Sequence, residues 1–287
     1  MTSPETIRPA PNGLVEPVNK YFHIPVAAVI VLFIKDTRVT PNQVTYASVL
    51  CGLASALVFC QGNGWSLVVA GIFLEASLIL DCADGQLARA KDCATEFGRL
   101  LDGIGGYVAY LSMIGGMMIG LEGQFYALAA ITVFTVLRAI TFDYYKLSIG
   151  AMIDEGIDAS QRDVHAAYQN FRATPSALMK SYFYYLQFQR LLFHGQWTSL
   201  QKYSRKKPDA SETRLTGEQR RRYYQKTKTL RAVWSWNGHE IILFLIAVLS
   251  VLGIIEISLT ALAFLAGIQF CLTFIFHHYF IRHEVRP

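Results

Sequence analysis

Long apolar runs, separated by shorter polar segments, dominate the sequence. A helix needs about 20 apolar residues to cross the roughly 30 Å of hydrocarbon in a bilayer. Six runs reach or approach that length: residues 41–60, 65–80, 97–120, 125–147, 239–255 and 258–281. A seventh run, residues 24–34, is shorter and suits a helix that lies in the membrane interface. The pattern predicts an all-α, polytopic membrane protein with six transmembrane helices and an N-terminal interfacial helix.

The composition agrees with this prediction. Of the 287 residues, 53% are hydrophobic and 16% are charged, whereas soluble domains average about 25% charged residues. A soluble cytosolic enzyme is therefore disfavoured. The five cysteines are scattered without a Cys-x-x-Cys pair, which argues against a disulfide scaffold and a finger-type zinc site. Residues 1–14 are polar and contain proline, so we expect no cleavable signal there.

Basic residues alternate with the order of the spans. Segments on the cytoplasmic side of a membrane protein carry an excess of Lys and Arg. Here every second connection is basic and the others have no Lys or Arg. The basic positions are the long segment between spans four and five together with Lys35, Arg38, Arg89, Lys91, Arg99, Arg282 and Arg286. The alternation predicts that both termini are cytoplasmic.

The spans divide the chain into four predicted regions: an N-terminal cytoplasmic or interfacial segment (residues 1–38), spans one to four (39–147), a cytoplasmic insert (148–237), and spans five and six (238–287). Within the insert, residues 201–232 carry 11 Lys or Arg and 3 Asp or Glu. Such a run beside a bilayer attracts anionic lipid, and this position favours lipid over the competing interpretation, nucleic acid. The aromatic segment 181–193 is expected either to lie in the interface or to pack on the cytoplasmic side of the helices.

A cluster of carboxylates at the end of span two is the main candidate for chemistry. Charges within a membrane are costly, so a cluster of them marks a functional hypothesis. Asp81 and Asp84 are three residues apart and share one helix face, and Asp102 enters from the next helix. Oxygen ligands suit Mg²⁺, Mn²⁺ or Ca²⁺, and Arg89 offers a forked donor for a phosphate. The competing interpretation is a structural ion-pair network.

The stretch from position 81 to 106 resembles the signature of the CDP-alcohol phosphotransferases, D-x2-D-G-x2-A-R-x8-G-x3-D-x3-D. Seven of its eight fixed positions match: Asp81, Asp84, Gly85, Ala88, Arg89, Gly98 and Asp102. Residues 40–45 also resemble the family's entry into the first span. The resemblance covers residues 39–147 well and the last two spans loosely, and it does not cover the insert.

The resemblance implies a reaction and a set of roles. An acceptor alcohol attacks the phosphorus bonded to the donor's alcohol, and CMP leaves. Asp81, Asp84 and Asp102 would hold a pair of Mg²⁺ or Mn²⁺ ions, which neutralise the pyrophosphate and the departing CMP. The CDP group would be bound by Asn42, Thr45, Asp81, Gly85, Ala88, Arg89, Thr95 and Gly98.

One position departs from the family pattern. The eighth fixed residue, expected to be Asp, is Gly106. In the family this Asp is a metal ligand and the base for the attacking hydroxyl, which leaves Asp102 as the remaining catalytic carboxylate of this pair. Three explanations stay open: an engineered inactive variant, a natural homologue that binds without catalysing, or another base, with His239 and Glu240 as candidates. Loss of a general base typically lowers a rate by about 10²–10⁴.

The expected function is therefore CMP-releasing transfer of a phospho-alcohol in phospholipid biosynthesis. The leading form uses CDP-diacylglycerol and a small polar alcohol; the alternative uses a soluble CDP-alcohol and a lipid acceptor, for whose headgroup Arg138 is a weak candidate ligand. A catalytically silent CDP- and metal-binding homologue and a transporter are two further hypotheses. The resemblance also implies a homodimer. From the alternation of basic segments and the position of the basic run we further expect a cytoplasmic active site in a bacterial inner membrane, with membrane lipids and no nucleic acid as partners.

Overall fold

A computed structural model describes residues 14–157, 159–173, 175–195, 197 and 214–283. A π-helical turn (Asn19–His23) is followed by α1 (Ile24–Ile34), α2 (Pro41–Phe59), α3 (Gly64–Ala90), α4 (Glu96–Gly120), α5 (Phe125–Asp154), α6 (Ala159–Ala173), α7 (Ala177–His194), α8 (Gly217–Lys226), α9 (Lys228–Ser235), α10 (Glu240–Val251) and α11 (Ile255–His283). No strand occurs within these ranges, so the predicted all-α class is confirmed. Residues 1–13, the basic segment 201–213, Arg286 and the side chains of Arg99 and Arg282 fall outside the described part.

Six helical segments are long and apolar enough to cross a membrane: Pro41–Phe59, Gly64–Ala90, Leu101–Gly120, Phe125–Asp154, Lys228–Val251 and Ile255–Phe280. The predicted number of spans is confirmed, and the shorter apolar helix Asn19–Ile34 matches the predicted N-terminal helix. The second span, α3, extends beyond the apolar run that ends at residue 80, as expected from the placement of Asp81 and Asp84 on one helix face. It continues to Ala90 because residues 81–90 contain no proline and several good helix formers, so the backbone hydrogen bonds carry on through polar side chains.

Side-chain caps define where the first long helices begin. Thr40 accepts a hydrogen bond from the backbone N–H of Gln43, whose side chain accepts one from the Thr40 N–H, with Pro41 at the first helical position. Asn63 and Ser66 form the same reciprocal box at the start of α3. Thr95 caps α4 by accepting from the N–H of Gly98 at 3.0 Å. These caps place the signature residues on defined helical turns.

The described chain divides into two compact units, of which the first contains Val15–Val136 and Ser235–Cys271. Its apolar core is built from α2 to α5, α10 and α11. Fully buried side chains include Phe59, Met113, Met117, Leu128, Ile246 and Leu259. All the motif positions at residues 40–45 and 81–106 belong to this unit.

The N-terminal segment is anchored within the first unit by a buried carboxylate. Glu16 accepts hydrogen bonds from the backbone N–H groups of Glu240 (3.5 Å) and Ile241 (3.2 Å), at the start of α10. A negative side chain at a helix N-terminus is favourable because the first N–H groups of the helix lack partners. Gly238 leaves room for this contact, since a Cβ there would overlap the Glu16 carboxylate.

The second unit contains Leu137–Trp234 and the chain from Leu272 onwards. Its core is rich in stacked rings: Tyr145 stacks on Trp234 with centroids 4.0 Å apart, and Tyr144 stacks on Phe193 at 4.2 Å. The aromatic segment 181–193 lies in α7, where Phe183 and Leu186 pack with residues of α6 in a cluster of their own. One face of α7 therefore packs against α6. That the segment lies in the membrane interface, or on the cytoplasmic side of the membrane helices, remains a prediction.

Some residues of the basic run 201–232 stabilise the fold of the second unit. Arg220 donates hydrogen bonds to the carbonyl oxygens of Ile153 and Asp154, at the end of α5. Arg231 lies 3.8 Å from the centroid of the Tyr224 ring. Other cationic residues of the run, Arg221, Lys226 and Lys228, are exposed. The anionic-lipid prediction therefore concerns these exposed side chains more than the whole run.

Small residues allow α2 and α4 to approach closely in the first unit. A Cβ at Gly116 would overlap the backbone carbonyl of Ala56, and one at Gly52 would lie 2.5 Å from the Cβ of Ala109. Close backbone approach at small residues is a common mode of helix packing in membranes.

The neighbouring glycines 115 and 116 of α4 form a matched test of this packing. In Gly116→Ala the new methyl group must push α2 and α4 apart, so we expect the free energy of unfolding to fall by about 1–3 kcal/mol. In Gly115→Ala no atom lies within 4 Å of the new Cβ, and the higher helix propensity of Ala should raise it by up to about 1 kcal/mol. Thermal unfolding in detergent measures both. Equal losses in the two variants would contradict the close α2–α4 contact.

Candidate active site

The carboxylates of the signature meet in the first unit. Asp81 and Asp84 lie in the last three turns of α3, and Asp102 lies in the second turn of α4. The carboxyl groups of Asp81 and Asp102 are within hydrogen-bonding distance of each other, and Asp84 lies within electrostatic range of Asp102. The structure thus brings together the three aspartates that the sequence predicted to converge.

Asp84 is held by a side chain from α2. It is buried, and its Oδ2 accepts a hydrogen bond from the hydroxyl of Thr45, which also lies 3.2 Å from the carbonyl oxygen of Pro41. Asp84 also interacts with the backbone N–H of Gly85 and the guanidinium of Arg89. A buried carboxylate with these partners has a fixed orientation, because each lost hydrogen bond to a charged group costs about 1.5–3 kcal/mol.

The other predicted CDP-binding positions surround this end of α3. The side chain of Arg89 turns back over Gly85, where a Cβ would lie 3.5 Å from its Nη1. Gly98 lies between two polar groups: a Cβ there would be 3.1 Å from Thr95 Oγ1 and 3.4 Å from Asn42 Oδ1. Ala88 is half-buried on α3. At both places a glycine thus lets polar side chains come close to the helix backbone.

Position 106 lies one helical turn after Asp102 and is open. A Cβ at Gly106 would meet no atom within 4 Å. An aspartate there would therefore fit without displacing a neighbour. Nothing in the packing of the described residues around this position requires glycine.

The candidate replacement bases occupy different surroundings. His239 caps the start of α10 without a side-chain capping bond, and its Nδ1 is buried with no hydrogen-bond partner among the described residues. Glu240, the first residue of α10, lies within electrostatic range of Asp81. Its Oε2 is also 3.6 Å from Nδ1 of His23. Arg138, the weak candidate for an acceptor's headgroup, is fully buried in the second unit.

Sequence reasoning missed a polar cluster beside the signature, formed by Asn19, His23, Glu75, Cys82 and Glu240. His23 is completely buried; its Nδ1 is 2.7 Å from Asn19 Oδ1 and its Nε2 is 2.9 Å from Glu75 Oε1. Burial lowers the pKa of His23, but the carboxylates of Glu240 and Glu75 outweigh that effect and raise it to about 9. Glu75 was the available signal, because a carboxylate inside an apolar span needs a partner.

The donor atoms of His23, Cys82 and Glu240 all lie within 4.8 Å of one another. Among the described residues, these three form the one group of His, Cys, Asp or Glu side chains that meets this limit. The three signature aspartates are therefore more widely spread.

Comparison with known proteins decides the family. A family model described as CDP-alcohol phosphatidyltransferase matches residues 38–193, which is more than half of the chain. The chain belongs to this family. The match contains every signature position from Asn42 to Gly106.

Curated relatives match shorter stretches of this CDP-alcohol phosphatidyltransferase. The bifunctional IPC transferase and DIPP synthase of Thermococcus kodakarensis is 43% identical over 67 residues, 23% of this chain and 15% of the relative. The protein of the same name in Aquifex aeolicus is 40% identical over 67 residues, with the same coverage. The archaetidylinositol phosphate synthase of Pyrococcus horikoshii is 34% identical over 82 residues, 29% of this chain and 42% of the relative. The chain spans less than half the length of these relatives.

Family membership and the six apolar helices assign the protein to the multi-pass membrane transferases of lipid biosynthesis. The family uses a CDP-linked alcohol donor and an alcohol acceptor and generally depends on divalent metal ions. The predicted family and class are confirmed. The individual site roles remain predictions.

The contact between Thr45 and Asp84 can be tested without assuming a substrate. We expect Thr45→Val to lower the free energy of unfolding by about 1–3 kcal/mol, because it removes the hydroxyl that donates to a buried carboxylate. Thr45→Ser keeps the hydroxyl and should lose less than about 1 kcal/mol. Thermal unfolding of both variants in detergent gives the comparison. A Val variant as stable as the Ser variant would show that the hydroxyl is dispensable.

Proposed function

We propose that this protein transfers a phospho-alcohol from a CDP-linked donor to an acceptor alcohol and releases CMP. The observation that carries the proposal is the convergence of Asp81, Asp84 and Asp102 in one unit, at the spacing of the family signature. Gly85 and Gly98 lie beside polar groups at the same end of α3. Both features suit a bound nucleoside diphosphate better than a closed ion-pair network.

Asp81, Asp84 and Asp102 would hold Mg²⁺ or Mn²⁺. The donor set fits a hard cation, because all three are carboxylates and two lie close enough to share a hydrogen bond. Two carboxylates in contact repel each other unless a proton or a cation lies between them. When bound, such ions neutralise the pyrophosphate and the leaving CMP.

The chain's own residues would bind and orient the donor. Arg89 reaches over Gly85 with a planar guanidinium that suits a phosphate oxygen. Asn42 and Thr95 lie on either side of Gly98 and offer an amide and a hydroxyl to the cytidine or ribose. Thr45 keeps Asp84 in place. The caps at Thr40 and Thr95 fix the helix starts that carry these groups.

In the proposed reaction the acceptor's hydroxyl oxygen forms a bond to the phosphorus that carries the donor's alcohol. The bond from that phosphorus to the bridging oxygen breaks, and CMP leaves with the electron pair. The proton of the hydroxyl must pass to a base. Because Gly106 lacks the family's carboxylate, this step is the weak point of the chain, and Glu240 or His239 are the nearby groups that could accept the proton.

We favour a lipid-linked donor such as CDP-diacylglycerol with a small polar acceptor. The relative from Pyrococcus horikoshii is named for a lipid that carries an inositol phosphate, so an inositol phosphate belongs among the acceptors to be tried. A soluble CDP-alcohol with a lipid acceptor is the alternative. We also propose a cytoplasmic active site in a bacterial inner membrane and a homodimer, as the alternation of basic segments and the family resemblance suggest.

A silent homologue that binds CDP and metal without turnover is the second candidate. The specific observation in its favour is the open, uncharged position at Gly106. The two candidates share the donor site and differ in the release of CMP.

A carboxylate introduced at position 106 should distinguish the active transferase from the silent homologue. We expect Gly106→Asp to release CMP about 10²–10⁴ times faster than the unaltered protein, because it supplies the general base that the family uses. CMP release in detergent with Mg²⁺ or Mn²⁺ is the measurement. CDP-diacylglycerol, CDP-choline and CDP-ethanolamine would be offered in turn, with small alcohols, inositol phosphate and a lipid extract as acceptors.

Two variants control for charge and position. Gly106→Asn has the size of aspartate without its charge. Gly103→Asp adds the same carboxylate at another open position of α4. Neither should accelerate release. Equal release by the unaltered protein and Gly106→Asp would show that another residue is the base, and His239→Asn and Glu240→Gln would then identify it. If neither the unaltered protein nor Gly106→Asp releases CMP while both still bind CDP, the result would favour the binding homologue or a different donor.

The space at Gly98 is a test of donor binding. In Gly98→Ala the new methyl group would fill the gap between Asn42 and Thr95, and we expect CDP affinity to fall about 10-fold, or about 1.4 kcal/mol. Gly103→Ala lies in the same helix with open space around it and should bind as the unaltered protein does. Titration calorimetry with CDP and Mg²⁺ measures both. Unchanged affinity in Gly98→Ala would place the nucleotide elsewhere.

A further inference from the structure

The polar cluster of Asn19, His23, Glu75, Cys82 and Glu240 is not explained by CMP release. Its residues come from three separate parts of the first unit: the π-helical turn before α1, the helix α3, and the start of α10. Cys82 follows Asp81 directly but belongs to a different set of neighbours. A thiol, an imidazole and a carboxylate in contact are unusual as simple packing groups, because burying polar side chains requires that each has a partner.

We infer that His23, Cys82 and Glu240 form a binding site for one transition-metal dication of the Zn²⁺ type. The site is separate in its ligands from the aspartates of the signature. Imidazole, thiolate and carboxylate are the three ligand types that zinc uses in proteins. Mg²⁺ and Mn²⁺ prefer oxygen ligands, so the chemistry of the cluster selects a different metal from that of the signature.

The distances are close to those of a tetrahedral site. Zinc–ligand bonds of about 2.0–2.3 Å place neighbouring donor atoms roughly 3.3–3.8 Å apart. Nδ1 of His23 lies 3.6 Å from Oε2 of Glu240. The donor atoms of all three residues lie within 4.8 Å of one another, so the longest separations must shorten by up to about 1.5 Å to close the site. Asn19 Oδ1 lies 2.7 Å from His23 Nδ1 and 4.0 Å from Cys82 Sγ; because 2.7 Å is shorter than the distance between two zinc ligands, the Asn19 side chain must move away from Nδ1 when the metal binds.

Glu75 supplies the outer partner that metal-binding histidines usually have. Its Oε1 lies 2.9 Å from Nε2 of His23, so the N–H on Nε2 donates to this carboxylate. Nδ1 is then the nitrogen that would bind the metal, after it loses its proton and its hydrogen bond to Asn19 Oδ1. A carboxylate that accepts from the far ring nitrogen of a histidine fixes the tautomer and the ring orientation in metal sites. The π-helical turn that carries both Asn19 and His23 is a backbone feature that often occurs at functional sites.

The inference is tested on the purified full-length protein by its metal content, a readout that does not depend on CMP release. We expect about one zinc ion per chain after dialysis against a weak chelator. Cobalt exchanged into the site should show the intense near-ultraviolet charge-transfer band of a thiolate–Co²⁺ bond. Cys82→Ser should abolish the band, and Glu75→Gln should weaken zinc binding about 10–100-fold.

Matched controls separate this site from its neighbours. Cys51→Ser removes another half-buried cysteine and should keep both zinc and the cobalt band. Asp102→Asn alters the signature and should also keep both. Zinc that persists in Cys82→Ser would mean an adventitious ion only, and absence of zinc and of the cobalt band from the unaltered protein would overturn the inference outright. The cluster would then be a buried ion pair that holds the N-terminal helix.

If Gly106→Asp fails to release CMP while the cobalt band is present, the proposed function fails and this inference stands.

Discussion

Carboxylates that lie in helices long and apolar enough to cross a bilayer are the constraint on which this structure depends. Glu75, Asp81, Asp84 and Asp102 all lie within candidate spans, where an uncompensated negative charge is expensive. Specific partners lie beside these charges. Thr45 donates a hydrogen bond to Asp84, Arg89 lies within electrostatic range of Asp84, and His23 lies at hydrogen-bond distance from Glu75. α2 and the N-terminal segment carry Thr45 and His23 to α3 as partners for its carboxylates, whereas α4 and α10 bring two further carboxylates, Asp102 and Glu240.

The two polar sites therefore share one scaffold. On α3, Asp81 and Asp84 belong to the signature, whereas Cys82 and Glu75 belong to the cluster around His23. Glu240 stands between them, since it contacts His23 and lies within electrostatic range of Asp81. A change at either site alters the electrostatic field at the other. The chain thus lacks a carboxylate at position 106 but has a further one, Glu240 on α10, within electrostatic range of Asp81.

Much of the fold was predictable, because apolar runs of membrane length and alternating basic segments are signals that local sequence carries. The convergence of Asp81, Asp84 and Asp102 was predictable for a related reason: two of them share a helix face, and the third follows a short connection. The cluster of His23, Cys82 and Glu240 was not, since its members are separated by 59 and 158 positions in the sequence and no spacing rule links them. The apolar run of the second span ends before the first carboxylate, but the shared helix face of Asp81 and Asp84 already indicated that the helix extends further. The helix continues to Ala90 because helix formation depends on backbone hydrogen bonds and local propensity, which Gln, Leu, Ala and Arg residues supply there without an unbroken apolar run.

Because α3 is one continuous helix, its apolar first part is mechanically connected to the signature residues Asp81 and Asp84. This helix is 27 residues long, or about 40 Å at 1.5 Å per residue, and its apolar first part and its signature form one rod. A hydrophobic segment adjusts to the local thickness of the membrane by tilting, and any tilt of the first part moves the far end with it. The depth at which Asp81 and Asp84 meet the headgroup region is therefore coupled to the acyl-chain length of the surrounding lipid, so the composition of the membrane becomes a physical variable of the candidate active site.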